Sequence, residues 1–305
     1  SMQSMTYFVG SASPKVAEAV AARHGGIVGK SELVRFANSE IKVRILQPVT
    51  GTACVIIQSL SNPTSERVLE LAFYLDALRR EKADSVDVVI PYLGYARQNI
   101  QHLPGECVSA HVIIALIESL GARSVTTIDI HDEATAGVFT VPFTNLSALP
   151  LLADDMKKSI PTETTLVGSP DQGGVERARG FAEAFYKGST VPELVVIEKK
   201  RNLEGVHDSQ AVELYGEVTG KDIILVDDVA TSAGTMMHAA QLCLDKGARH
   251  VYAAVVHADF GDGVIEKIAN SKLFEGWYTT NTIEEPGEKL ASYSLFHQLP
   301  IDSLL

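Results

Sequence analysis

Short apolar runs alternate with longer amphipathic stretches along this chain, and that alternation limits its fold more than any other feature. Residues 52–58 (TACVIIQ) have strand character, and 64–83 carries a helical period with Leu69, Leu71, Phe73, Leu75 and Leu78 among its apolar positions. A strand at 86–90 (VDVVI), a helix at 108–120 and a strand at 124–130 follow. From Thr164 the pattern restarts, with strands at 164–168, 193–198, 222–226 and 250–256 and helices at 174–186 and 235–247. Such alternation predicts an α/β fold of mainly parallel sheets flanked by helices, with ligands at the carboxyl ends of the strands. The pattern breaks at 145–150, which predicts domains at 1–150 and 151–305. Each has a strand running into a polar, Gly-containing turn, 128–137 (IDIHDEATAG) and 226–234 (VDDVATSAG). Duplication of one α/β domain would account for this, and so would chance.

The totals narrow the partners. A length of 305 residues with 46% hydrophobic and 21% charged residues fits two globular domains of ordinary size. A net charge of −12 argues against a nucleic-acid partner, whose backbone demands dense Lys and Arg. Small phosphorylated ligands are still allowed, because a few cations, backbone amides and metal ions suffice to hold them. No apolar run approaches the roughly 18–20 residues of a membrane span, so no membrane partner is expected. Cys54, Cys107 and Cys243 are scattered without a CxxC pattern, which predicts neither a disulfide framework nor a zinc site, and a cytoplasmic location. Residues 1–5 (SMQSM) read as a cloning remnant ahead of a native start, not as a targeting signal.

The strongest local signal is 223–235, IILVDDVATSAGT. An apolar strand delivers two adjacent carboxylates, Asp227 and Asp228, and then a loop of small residues opening a helix. Such a loop presents successive N–H groups at a helix N-terminus, where the dipole also favours an anion. Thr231, Ser232 and Thr235 add hydroxyls there, beside Ala233 and Gly234, and the carboxylates lie one step back. A plain Asp-capped helix preceded by small residues is the bland alternative.

This segment resembles the phosphoribosyl-pyrophosphate loop shared by type I phosphoribosyltransferases and ribose-phosphate pyrophosphokinases. The other motifs resemble the pyrophosphokinase family, in order along essentially the whole chain as far as His257 and 278–283 (YTTNTI). Residues 91–98 (PYLGYARQ) are similar to its ATP-binding segment, with Arg97 and Gln98 as ligands. Residues 35–44 (RFANSEIKVR) are similar to the segment that packs adenine from a neighbouring subunit, so Phe36, Asn38 and Glu40 would contact ATP. Asn38 stands where an acid is usual, and its amide both donates and accepts. His131, in Asp-Ile-His, would help bind Mg²⁺–ATP; Asp171, in 168–179 (GSPDQGGVERAR), would approach Mg²⁺ and the ribose hydroxyls. In 198–201 (EKKR), Lys199 and Arg201 fit the family's catalytic pair on an extended arm, where alternate residues face one side.

The resemblance implies two type I phosphoribosyltransferase-like domains, a homo-oligomer, the substrates ATP and ribose 5-phosphate, and Mg²⁺ as cofactor. It places the 5-phosphate on 231–235, the 2- and 3-hydroxyls near Asp227 and Asp228, and catalysis on Lys199 and Arg201. The stretch 99–107 (NIQHLPGEC) departs from the regulated members, which carry several Arg and Lys there, and resembles a shorter archaeal-type branch. Ile100, Gln101, Leu103 and Gly105 cannot pair with phosphate, which predicts weak or absent allosteric control by phosphate and ADP. A transferase acting on a nucleobase, and a catalytically weak regulatory paralogue, are the alternatives.

Overall fold

The computed structural model describes residues 4–200, 211–285 and 287–305. The chain divides into two compact units. The first holds the residues up to Ser147 with Asn281–Glu285 and Pro300–Leu305; the second runs from Ala148 to Thr280 and adds the segment ending at Leu299. The C-terminal residues thus belong to the first unit, so the second is not one uninterrupted stretch.

In the first unit, β1 (Thr6–Val9), α1 (Pro14–Arg23) and β2 (Ile27–Val28) precede a hairpin of β3 (Ser31–Arg35) and β4 (Ile41–Ile45). Then come β5 (Ala53–Ile57), α2 (Thr64–Arg80), β6 (Ser85–Ile90), α3 (Ser109–Ser119), β7 (Ser124–Ile128) and β8 (Phe143–Leu146). The main sheet has the order β2-β1-β5-β6-β7-β8, parallel throughout. Its middle strands are apolar runs because both faces are covered. Phe8, Ile56, Leu71, Leu75, Leu78 and Ile90 are fully buried between strands and helices.

The second unit contains α4 (Leu149–Met156), β9 (Thr165–Ser169), α5 (Val175–Phe185), β10 (Val195–Lys200), β11 (Ala211–Tyr215), β12 (Asp222–Ala230) and α6 (Gly234–Asp245). It continues with β13 (His250–Ala258), α7 (Val264–Ser271), β14 (Gly276–Thr280), α8 (Gly287–Ala291) and β15 (Phe296–Leu299). Its sheet order is β11-β10-β9-β12-β13-β14-β15, parallel except for β10–β11. Trp277, at 0% exposure, centres the core with Phe274 and Phe296.

Two sequence expectations change here. The strand expected at 222–226 continues to Ala230, so Asp227 and Asp228 lie within β12 instead of beyond its end. Hydrogen-bonded register with β13 persists as far as Ala230 opposite Ala258, which keeps the backbone extended through the two acids. The polar stretch expected after residue 201 contains β11, which pairs antiparallel with β10 and sets Lys199 opposite Val212. Val212 and Leu214 stand two apart, but Val212 and Tyr215 are both exposed, so no clear apolar face marks this strand in the sequence.

The returning C-terminal segment is tied to α1. Ser13 precedes that helix, but its hydroxyl accepts from Ser59 N–H at 3.0 Å and caps nothing. The Glu284 carboxylate takes the amides of Lys15 and Val16 instead, at 2.7 and 3.3 Å. An anion is favoured there by the helix dipole and the orphan N–H groups. Arg23 pairs with Asp302 at 2.9 Å, and His24 Nε2 meets Leu305 O at 3.0 Å.

Where the chain leaves β1, Gly10 passes so close to β5 that a Cβ would lie 2.2 Å from Gln58 Oε1 and 2.6 Å from Ile57 O. Gly10→Ala is expected to cost about 1–3 kcal/mol through overpacking. Calorimetric unfolding showing no loss would contradict this close approach.

Candidate active site

In a parallel sheet the strand order fixes where ligands gather. In the second unit the chain leaves β9 through α5 to reach β10 on one side, and leaves β12 through α6 to reach β13 on the other. The connections diverge between β9 and β12, opening a crevice at the carboxyl ends of those strands. β9 pairs with β12 only as far as Gly168 opposite Leu225, so residues 226–230 run on past it. The sequence places Asp171, Asp227, Asp228 and the 231–235 loop at this point, and the structure gathers them there.

The loop has the backbone features that an anion would need. Ala233 adopts φ 62°, the left-handed region, and α6 begins at the next residue. That conformation costs an L-residue roughly 1–2 kcal/mol, and local strain of this kind collects at functional sites. Ser232 Oγ accepts from Gly234 N–H at 3.3 Å, and Gly261 N–H donates to Thr231 O at 3.2 Å. At the start of a helix the amides of Thr235 and Met236 have no acceptor four residues back. Ser232 and Thr235 are exposed, Thr231 and Gly234 half-buried, and Ala233 buried.

Behind the loop, Asp228 is buried at 3% exposure and Asp227 is largely covered. Asp227 Oδ1 accepts from Asp228 N–H at 2.8 Å. Arg177, on α5, reaches both acids, with Nη1 3.3 Å from Asp227 Oδ1 and 3.7 Å from Asp228 Oδ1. Burial, then the hydrogen bond and like charge of Asp228, push the Asp227 carboxyl well above the usual carboxylate range, against the pull of Arg177. Half-buried Asp171 caps the turn before α5, its Oδ1 accepting from Gly174 N–H at 2.8 Å. His257, at 2% exposure, lies on β13 beside Val229 of β12. Lys199 is exposed on the β10–β11 stem, and Arg201 lies outside the described residues.

The first unit presents a second cluster at the carboxyl ends of β6 and β7, which are adjacent in its sheet. The 91–98 segment leaves β6 and holds exposed Arg97 and Gln98; His131 follows β7 and is also exposed. Gly94 lets that segment press on the preceding turn, since a Cβ would lie 2.4 Å from Leu60 O. Gln98 Oε1 accepts from Ser109 Oγ at 2.6 Å, which orients its amide. Asn99 Nδ2 donates to Asp132 Oδ2 at 2.9 Å, joining the segment after β6 to the turn after β7.

Phe36, Asn38 and Glu40 form the exposed tip of the β3–β4 hairpin, with Phe36 47% exposed and Lys42 Nζ 5.8 Å from its ring centre. Phe36 N–H donates to Glu40 O at 2.8 Å, and Asn38 Oδ1 accepts from Glu40 N–H at 3.1 Å. Among the described residues, no group of three or more His, Cys, Asp or Glu side chains gathers as a metal cage.

Sequence reasoning missed Arg177 and Asp132. Arg177 and Arg179 sit in one quoted motif, but residues two apart on a helix face opposite sides. Only packing separates them: Arg177 turns inward with 17% of its side chain exposed, while Arg179, at 53%, pairs with Glu176. A carboxyl whose folded pKa is raised favours the native state below its unfolded pKa, and that contribution is lost as pH rises through the folded value. Asp227→Asn is therefore expected to stabilise the ligand-free protein increasingly as pH rises, while abolishing activity. Melting temperatures that separate from wild type only on acidification would contradict this assignment.

The family model described as the N-terminal domain of ribose phosphate pyrophosphokinase matches residues 5–121, and the phosphoribosyl transferase domain matches 151–275. A ribose-phosphate pyrophosphokinase of Brucella melitensis is 38% identical over 89% of this chain and 85% of its own length. That of Bradyrhizobium diazoefficiens is 37% identical over 99% of this chain and 92% of its own. The crystal structure of phosphoribosylpyrophosphate synthetase from Mycobacterium smegmatis aligns with a TM-score of 0.89 at 28% identity, covering 99% of this chain and 96% of the other. Matches that span both units at this level of identity establish that the chain belongs to the ribose-phosphate pyrophosphokinase family.

Proposed function

We propose that this chain transfers the β,γ-pyrophosphate of MgATP to the C1 hydroxyl of ribose 5-phosphate, giving phosphoribosyl pyrophosphate and AMP. The observation that carries this reading is the anion loop at the β9–β12 crevice with paired acids behind it. A sugar 5-phosphate suits the amides and hydroxyls of residues 231–235. The 2- and 3-hydroxyls of ribose, both donors, suit Asp227 and Asp228. Arg97, oriented Gln98 and His131 would hold ATP. The exposed hairpin tip with Phe36, Asn38 and Glu40 would stack on and hydrogen-bond the adenine of another copy, which makes the enzyme a dimer or larger.

In the reaction the C1 oxygen attacks the β-phosphorus in line, and the bond to the α–β bridging oxygen breaks to release AMP. Such transfers leave the protein mainly positioning and charge stabilisation. Lys199 and Arg201 would neutralise charge at the transferring group. Asp171 of the second unit and His131 of the first are each candidate ligands of Mg²⁺. A carboxylate without a protein cage suits an ion that keeps waters and substrate phosphate oxygens as its other ligands. When bound, Mg²⁺ supplies charge neutralisation on the phosphates. A cytoplasmic setting fits the free thiols Cys54, Cys107 and Cys243, and no described helix is long and apolar enough to cross a membrane.

Residues 99–107 are braced from within: Gln101 Nε2 donates to Glu106 O at 2.9 Å, and Leu103 N–H to Glu106 Oε1 at 2.5 Å. A braced loop without Arg or Lys offers ADP no such cation for its phosphates, so ADP at saturating ATP is expected not to inhibit. Inhibition that persists under those conditions would restore allosteric control.

The direct test is AMP and phosphoribosyl pyrophosphate formation from MgATP with and without ribose 5-phosphate. Stoichiometric, sugar-dependent AMP is expected, and well-folded protein that makes none would overturn the reading. Lys199→Ala should lower kcat on the order of 10³–10⁵-fold, as loss of an arginine finger does. Retention of more than a tenth of the wild-type rate would remove Lys199 from catalysis.

A further inference from the structure

We infer that Arg177 is a positioning residue for the sugar, bracing Asp227 and Asp228 so that both acids serve one ligand. This rests on the reading that the two acids receive ribose hydroxyls. Successive side chains on a strand point to opposite faces, so β12 alone would not aim both acids at one sugar. The guanidinium lies within 3.3 Å of Asp227 Oδ1 and 3.7 Å of Asp228 Oδ1, drawing both toward one point.

Two acids this close, covered from water and lacking a cation, would share a proton. A protonated carboxyl donates where the ribose hydroxyls need an acceptor. The raised pKa of Asp227 shows that burial and its neighbour already push that way and that Arg177 opposes them.

The approach of Arg177 is built into the start of α5. Asp171, Gly174 and Arg177 follow at three-residue steps, and Asp171 fixes the turn by accepting from Gly174 N–H at 2.8 Å. A Cβ on Gly174 would lie 3.1 Å from Arg177 Nη1 and 2.9 Å from Ser169 Oγ. Glycine at this position therefore clears the path of the guanidinium.

A simple structural ion pair would affect folding or both substrates alike; a positioning residue would affect the sugar alone. The test measures ribose 5-phosphate binding to the full chain by calorimetry, the KM of each substrate, and melting temperature. Arg177→Met is expected to weaken sugar binding roughly 10- to 100-fold, the loss of a charged hydrogen-bond partner, with the ATP KM almost unchanged. Arg177→Lys should recover part of the loss, because it keeps the charge without the planar fork. Gly174→Ala should produce the same sugar-selective defect with the arginine still present. Wild-type affinity in Arg177→Met would overturn the inference, as would equal rises in both KM values with lysine no better than methionine. If wild-type protein binds no ribose 5-phosphate, the functional reading fails and this inference falls with it.

Discussion

The arrangement of the second unit follows from one topological constraint, the divergence of the connections leaving β9 and β12. Parallel strands need crossover helices, and helices sent to opposite sides cannot cover the gap between their starting points. That gap receives the beginnings of α5 and α6 together, each with backbone amides lacking partners in its first turn. A loop of small residues precedes the α6 start, where Ser232 Oγ accepts from Gly234 N–H. Before α5, Asp171 closes the preceding turn by accepting from Gly174 N–H.

Charge follows from the same place. β12 is buried at nearly every position, yet carries two acids at its carboxyl end and another, Asp222, at its start. Each lies near an arginine from a neighbouring element. Arg249 holds Asp222 through two contacts at 2.9 and 2.6 Å. Arg177 Nη1 lies 3.3 Å from Asp227 Oδ1 and 3.7 Å from Asp228 Oδ1. Covered carboxylates are costly unless paired, which is why each of these acids has an arginine within reach.

The first unit uses the same kind of sheet differently. At its own point of divergence, between β1 and β5, the chain fills the crevice itself: Ser11 N–H donates to buried Glu70, Ala12 N–H donates to Gln58, and Glu284 takes the α1 amides. Exposed polar groups appear instead at the neighbouring strand ends, after β6 and β7, with Arg97, Gln98 and His131. The same fold thus closes one crevice and opens another through a few polar side chains.

The α/β class, the parallel sheets and the small-residue loop opening α6 were legible in the sequence because each depends on local pattern: apolar periodicity, and small residues where a strand meets a helix. Strand ends were less so, since hydrogen bonding to β13 carried β12 past the point where its composition turns polar. β11 escaped because its partner, not its residues, makes it a strand. The return of the C-terminal residues to the first unit depends on Glu284 and Asp302 meeting α1, contacts some 270 residues apart. The sequence by itself determined which residue types stand at the strand ends. Only tertiary packing decided which arginine of one helix turns toward the acids, because that depends on the rotation of α5 against β12, which no spacing along the chain records.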